Sequence, residues 1–525
     1  MYRFDQVATA TTPAVLGAVA EAHTHRSFVI ADDGELTYGA MARRAARLAA
    51  QFGALGLRPG ERVGILLPNG IRWCAALLGA HAAGLGVVPL NTWYRSGELL
   101  AVTRRARLRA IITQDEIFGL EPGRHAVGEH LDAGVYRGTF VWPRDAGHPE
   151  GLPAAPDPGA HDALETLRNA PVTESDDALL LFTSGSSAEP KAVRLVQGGM
   201  VRTAHAIGER QGIRADDRFW FASPLFFVFG CSNALPNTLT HAATLCLQER
   251  FEATSALEFI EKHRCTVYYG VAPITRALAA CEDLAKHDIS SLRTGTANAT
   301  PDDLRLAVEV LGIEQVCNAY GLTEGYGHST ITSCTDPASV RIGSQGAVLP
   351  TQELRIVANG AVAGPGEPGE IQIRGTITPG YLDSPELTAG AFGDDGWFRT
   401  GDIGRLDAEG LLHYVGRSHE MMKVKGISIS PAEVELLLVQ HELVDEAFVF
   451  GLATPEGDQS VGCVLVSTVP ETAREALGRD VQEWMRQRAA AYKVPTTVRV
   501  AAAGQLPLTA TGKVSKRLLQ QQTQA

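Results

Sequence analysis

Apolar and polar positions follow two rhythms along this chain. Residues 38–52 set alanines and leucines at helical spacing with Arg43, Arg44 and Arg47 opposite them, which predicts an amphipathic helix. Gly60-Glu61 then leads into the apolar run Arg62-Val63-Gly64-Ile65-Leu66-Leu67, a strand that Pro68-Asn69-Gly70 stops. Residues 73–83 read as helix and Gly86-Val87-Val88-Pro89-Leu90 as strand, and strand signals return at 178–182 and 265–269. Apolar strands alternating with helices predict largely parallel sheets with helices packed on them, an α/β fold.

Residues 145–162, rich in Pro, Gly, Ala, His and Asp, read as a surface excursion. After Gly343 the pattern changes. Leu354-Arg355-Ile356-Val357 and Glu370-Ile371-Gln372-Ile373 alternate like antiparallel strands between Gly/Pro turns, a β-rich subdomain. A last block has its own strand and helix signals and follows the polar, glycine-marked stretch Val415-Gly416-Arg417-Ser418-His419-Glu420. The expected domains are therefore 1–418, large and built on parallel-type sheets, and 419–525, small and α+β.

Composition narrows the function classes. Of 525 residues 45% are hydrophobic and 20% charged, which supports packed cores and excludes global disorder. The net charge of −12 argues against nucleic acid or an anionic membrane as partner, since both need a basic face. The 8 cysteines include no CxxC pair, so neither a zinc site nor a disulfide framework is read from them. No apolar run approaches the roughly 20 residues of a membrane span. With no secretory signal read in Met1-Tyr2-Arg3-Phe4-Asp5, the cytoplasm is the expected location.

The chemistry concentrates at Thr183-Ser184-Gly185-Ser186-Ser187-Ala188-Glu189-Pro190-Lys191, directly after Leu179-Leu180-Leu181-Phe182. Hydroxyls, backbone N–H groups and a lysine on one loop after a strand suit a polyphosphate. Pro190 before the lysine excludes a Walker A loop. Taken alone, a stretch of this composition is more often a Ser/Thr-rich surface turn.

Further motifs follow in order: Pro224-Leu225-Phe226-Phe227-Val228-Phe229-Gly230, Tyr320-Gly321-Leu322-Thr323-Glu324, Gly396-Trp397-Phe398-Arg399-Thr400-Gly401-Asp402, Gly416-Arg417 through Lys423 and Gly426, and Pro507-Leu508-Thr509-Ala510-Thr511-Gly512-Lys513 with Arg517. Over nearly its whole length the chain thereby resembles the adenylate-forming superfamily of acyl- and aryl-CoA synthetases, peptide-synthetase adenylation domains and luciferases. Asn91-Thr92-Trp93-Tyr94-Arg95 looks like its acyl-CoA synthetase branch. Ala188 and Ala192 stand where glycine is usual, Phe227 where histidine is common, and His419 where the hinge residue is usually Asp or Lys.

The resemblance implies ATP, Mg²⁺ and coenzyme A as small-molecule partners, with Lys513, Thr323 and Glu324 as catalytic residues and Glu324 on the metal. It assigns nucleotide or CoA contacts to Thr183, Ser184, Gly185, Ser186, Ser187, Lys191, Tyr320, Thr323, Asp402, Arg417, Lys423 and Gly426. A hard carboxylate oxygen suits Mg²⁺, and an ionised Asp402 offers acceptors to both ribose hydroxyls. Individually, Asp402 also reads as a turn cap and Lys513 as a solvated surface charge. The small C-terminal domain is implied to be mobile, turning at His419 between the two half-reactions.

The implied acid pocket comprises Phe226, Phe227, Phe229, Ser232, Thr296, Ala297, Ala299 and Asn318. No aspartate sits at 226–230 to hold an ammonium group, so an apolar aliphatic, aryl or polycyclic carboxylic acid is expected rather than an amino acid. Three readings compete: a carboxylate–CoA ligase, a stand-alone enzyme loading an acyl carrier protein in trans, and a silent nucleotide-binding relative. A homodimer stays open.

Overall fold

The computed structural model describes residues 4–6, 9–94, 96–114, 136–143, 146–183, 191–298, 300–418, 420–424, 427–454, 459–489, 491–509 and 514–524. They divide into two compact units, Met1–Leu354 with Ile373–Phe398, and Arg355–Gln372 with Arg399–Ala525.

The first unit holds two large sheets. One runs, edge to edge, Gly138–Val141, Leu108–Thr113, Arg62–Leu66, Gly86–Pro89, Asp177–Thr183, Lys191–Val196, parallel except for the last pair. The other runs Gln315–Cys317, Thr294–Asn298, Val267–Val271, Arg218–Phe221, Thr244–Leu247, Ser27–Ala31, Gly34–Thr37, again antiparallel only at the final pair. The parallel sheets expected from the alternation of elements are therefore present.

Helix Ile71–Ala82 touches strands of both sheets and buries every residue, Arg72 and His81 included. Arg72 and His81 find partners inside, Arg72 donating to the Trp142 carbonyl at 2.9 Å. His81 Nε2 donates to the Ala178 carbonyl at 3.0 Å and Nδ1 accepts from the Thr12 hydroxyl at 2.7 Å. A carbonyl can only accept, which fixes this tautomer. The helix starts two residues before the expected 73 because Asp33, distant in sequence, accepts from the Ile71 N–H at 3.0 Å. Likewise the strand expected at 265–269 is Val267–Val271. Arg264, left-handed at φ 49°, ends the preceding helix, and the Cys265 N–H is spent on the Ile260 carbonyl.

The second unit is α+β. Glu446–Ala453 and Gln459–Val466 pair antiparallel, and Thr497–Ala501 adds a parallel strand. Helices Pro431–Leu438 and Arg474–Arg486 bury Val434, Leu438, Leu477, Val481 and Met485 with Val449, Val461 and Leu465. Residues 399–418 belong to this unit: the Ser430 hydroxyl donates to the Val415 carbonyl at 2.6 Å, ahead of helix Pro431–Leu438. This grouping by contact differs from the 418/419 boundary, which marks an expected pivot. His419 itself lies outside the described residues. Among the described residues no helix is long and apolar enough to cross a membrane.

Candidate active site

Thr183 ends one strand and Lys191 begins the next, and the two are cross-strand partners. They close the base of the hydroxyl-rich loop. Its Ser184, Gly185, Ser186 and Ser187 lie outside the described residues, as do Ala299, Gly426 and Lys513. Residues 378–382 run alongside Lys191–Val196: the Arg194 N–H donates to the Gly380 carbonyl at 3.1 Å and the Leu382 N–H to the Ala192 carbonyl at 2.9 Å. That register brings Tyr381 within 5.5 Å, ring centroid to Lys191 Nζ. The Tyr381 hydroxyl then donates to Glu324 Oε1 at 2.8 Å. Burial, followed by the Glu324 charge, pushes the Tyr381 hydroxyl well above the usual phenol range, so it stays a donor at neutral pH.

Glu324 sits on a one-turn 3-10 helix, Thr323–Gly325, which the surrounding backbone pins. The Thr378 N–H donates to the Glu324 carbonyl at 2.7 Å. Tyr326 ends the turn in a left-handed conformation, φ 61°, of the kind that costs about 1–3 kcal/mol. Its carbonyl is captured by Asn233 Nδ2 at 2.6 Å and the Ser232 hydroxyl at 3.3 Å. A Cβ on Gly321 would stand 2.0 Å from the Gly327 carbonyl oxygen, so only glycine fits between Tyr320 and the turn.

Asn233 and Ser232 come from the π-helical turn Phe229–Ala234, a rare conformation found often at functional sites. The aromatic segment leading into it is anchored by Asn69. That side chain donates to the Ser223 and Gln248 carbonyls at 2.8 and 3.0 Å and accepts from the Leu225 N–H at 2.7 Å. Trp93 meets Phe226 and Phe227 edge-on, with centroids 5.4 and 5.8 Å apart, and Phe229 stacks on Tyr269 at 5.1 Å. Phe226 is buried, while Phe227 and Phe229 keep part of their surface.

Strand alternation separates two other pocket candidates. Ala297 packs in the core with Leu304, Ala307 and Ile274, so its neighbour Thr296 faces the opposite side of the sheet. Asn318 is buried and acts on backbone, donating to the Ser344 carbonyl at 2.9 Å and accepting from the Ala319 N–H at 3.0 Å. Tyr320 is buried on the short strand Ala319–Tyr320.

In the second unit Asp402 and Arg417 are cross-strand partners. Arg417 Nε lies 2.8 Å from Asp402 Oδ1, with the carboxylate side chain 2% exposed and the guanidinium 43%. A carboxylate so deeply placed requires such a partner. The Thr400 hydroxyl, donating to the Ile371 carbonyl at 2.6 Å, accepts from the Asp402 N–H at 3.0 Å and fixes its backbone. Lys423 lies on the hairpin strand Met422–Val424. An isolated bridge pairs Leu508 with Val514, which flank the motif's Lys513 in sequence.

Sequence reasoning missed Tyr381, Asn69 and Tyr269. Trp93 was visible inside its motif but not assigned to the pocket. Asn69, between Pro68 and Gly70, looked like ordinary turn chemistry, and the reach of its amide emerges only in three dimensions.

The AMP-binding enzyme family matches residues 16–382, and the AMP-binding enzyme C-terminal domain matches 433–513. A (methyl-dioxo-octahydro-indenyl)propanoyl:CoA ligase of Rhodococcus jostii is 30% identical over 98% of this chain and 98% of its own. The Mycobacterium tuberculosis protein of that description is 32% identical over 97% and 98%. A feruloyl-CoA synthase of Amycolatopsis is 32% identical over 92% of both chains. Among solved structures, the anthranilate CoA ligase AuaEII in complex with anthranoyl-AMP superposes with a TM-score of 0.84 at 25% identity, over 100% of this chain and 99% of that one. ATP-bound MatB from Rhodopseudomonas palustris shares the fold, with a TM-score of 0.84 at 23% identity over 98% and 99%. The chain belongs to the AMP-binding enzyme family, in its acyl-CoA synthetase branch.

Proposed function

We propose that this enzyme is an ATP-dependent carboxylate–CoA ligase acting on an apolar aryl or polycyclic carboxylic acid. The observation that carries the reading is the grouping of Lys191, Tyr381 and Glu324 at the base of the hydroxyl-rich loop. A cation, a phenol donor and a carboxylate beside a phosphate-type loop suit a nucleotide triphosphate.

In the first half-reaction a carboxylate oxygen of the acid bonds to the α-phosphorus of ATP, the α–β P–O bond breaks, and pyrophosphate leaves. Both reactants are anions, so alignment and charge neutralisation carry the catalysis. Lys191 and Lys513 supply positive charge, Thr323 a hydroxyl donor, and Asp402 two acceptors for the ribose. Glu324 fits Mg²⁺: it is a hard oxygen ligand, and Tyr381 engages only one of its two oxygens. Bound there, Mg²⁺ would neutralise phosphate charge. In the second half-reaction the CoA sulfur attacks the acyl carbon, its proton leaves, and AMP departs. His419 is assigned as the pivot between the two steps, and Lys423 and Gly426 as flanking the thiol.

The relatives include ligases named for a bicyclic propanoate and for ferulate. Trp93, Phe226 and Phe227 favour acids of that apolar kind. Pyrophosphate release across such a panel, with and without CoA, tests the reading. Turnover with CoA consumed supports it. Release that requires an acyl carrier protein instead would transfer the assignment to carrier loading, and no release with any acid would leave a silent nucleotide binder. Lys513→Ala should abolish adenylation while sparing thioester formation from supplied acyl-AMP.

A further inference from the structure

Away from these residues, helix Gln197–Gln211 carries His205 and Glu209 one turn apart, and His241 caps the end of helix Leu235–Thr240. One potential ligand atom from each of the three lies within 4.8 Å of the others. His241 Nε2 is 3.3 Å from Glu209 Oε1, and the two imidazoles stack with centroids 4.9 Å apart. Phe4 covers His205 at 4.2 Å between ring centroids.

His241 Nδ1 lies 3.0 Å from the Asn237 carbonyl and 3.1 Å from the Thr240 hydroxyl. His205 Nδ1 is buried, with no hydrogen-bond partner among the described residues. Burial pulls His205 down to about 4, so its ring is neutral and able to ligate at pH 7.

We propose that His205, Glu209 and His241 bind one first-row transition-metal dication of the zinc type, at a site separate from the nucleotide's. Two imidazoles and a carboxylate match zinc, whereas Mg²⁺ and Ca²⁺ favour oxygen donors throughout. The Asn237 carbonyl behind His241 Nδ1 is the outer partner that orients a ligating histidine. The His241 side chain is 6% exposed and that of Glu209 66%, so an ion can enter past the carboxylate while the imidazoles stay fixed.

The test uses the full chain, free of any affinity tag, stripped with chelator and then titrated with Zn²⁺ and, separately, Co²⁺. One Zn²⁺ per chain is expected, together with visible d–d absorption from bound Co²⁺ and a rise in melting temperature with zinc concentration. Glu209→Gln and His205→Gln should each melt like the parent in chelator. Each should lower zinc affinity by at least about tenfold, the loss that even an outer-shell partner can cause. An intact chain that shows no saturable zinc binding overturns the proposal. So does zinc held equally well by both variants, since it would then sit elsewhere, for example at the partly exposed Cys281 or Cys334.

Discussion

The phenol of Tyr381 holds one oxygen of Glu324 at 2.8 Å across 57 residues of sequence. The contact orients a carboxylate on a one-turn helix that has little rigidity of its own. Removing the hydroxyl while keeping the ring isolates this role. A hydrogen bond to a charged group is worth about 1.5–3 kcal/mol, so Tyr381→Phe should slow adenylation by roughly ten- to a hundredfold. Pyrophosphate release at several Mg²⁺ concentrations is the measurement. A rate equal to that of the parent would take Tyr381 out of the reaction.

Asp402→Asn keeps the shape of the side chain and discards its charge. Arg417 then loses its ion pair and the ribose loses an ionised acceptor. The Michaelis constant for ATP should rise by about tenfold or more, with the acid's constant nearly unchanged. If ATP affinity holds while the melting temperature falls, the pair is structural only.

Trp93 is 45% exposed yet packs edge-on against Phe226 and Phe227. Trp93→Ala should therefore cost little stability while enlarging the apolar end of the pocket. Bulkier polycyclic acids should gain in kcat/KM relative to compact aryl acids. A substrate ranking identical to that of the parent would place the acid elsewhere.

His81 and His328 are buried, and burial pulls each ring down to about 4 from an ordinary 6.5. The unfolded chain binds more protons between those two values, so stability is complete above about 6.5 and falls as pH drops toward 4. Each ring contributes about 3 kcal/mol to that loss. Urea unfolding at a series of pH values should show the slope. His81→Leu should be less stable at pH 7 but fall less steeply with acid, and an unchanged slope would contradict the assignment.

Much of this architecture was legible because periodicity records burial. The strands at 62–66, 86–89 and 177–183 and the helix at 38–54 follow directly from apolar spacing. What was hidden depended on distant partners. Asp33 lengthens the helix at Ile71, and Asn69 anchors the aromatic segment by hydrogen bonds spanning more than 150 residues. At the site, motif residues such as Glu324 and Asp402 could be named in advance. Tyr381 could not, because its role arises from pairing between residues 378–382 and 191–196. Ala297 and Thr296 are neighbours in the expected pocket but occupy opposite sheet faces, a separation that proximity in sequence conceals.

The second sheet also imposes an order on synthesis. Strand Ser27–Ala31 lies beside Thr244–Leu247, with Ala31 opposite Leu247. A ribosome adding about 5–20 residues per second exposes the earlier strand for roughly ten to forty seconds before its neighbour exists. Throughout that interval Phe28, Val29 and Ile30, all buried in the finished protein, have no sheet to join beyond the hairpin with Gly34–Thr37. The nascent chain thus carries an adhesive edge near its start, and production of this enzyme should respond to chaperone supply and growth temperature more strongly than the stability of the completed fold would suggest.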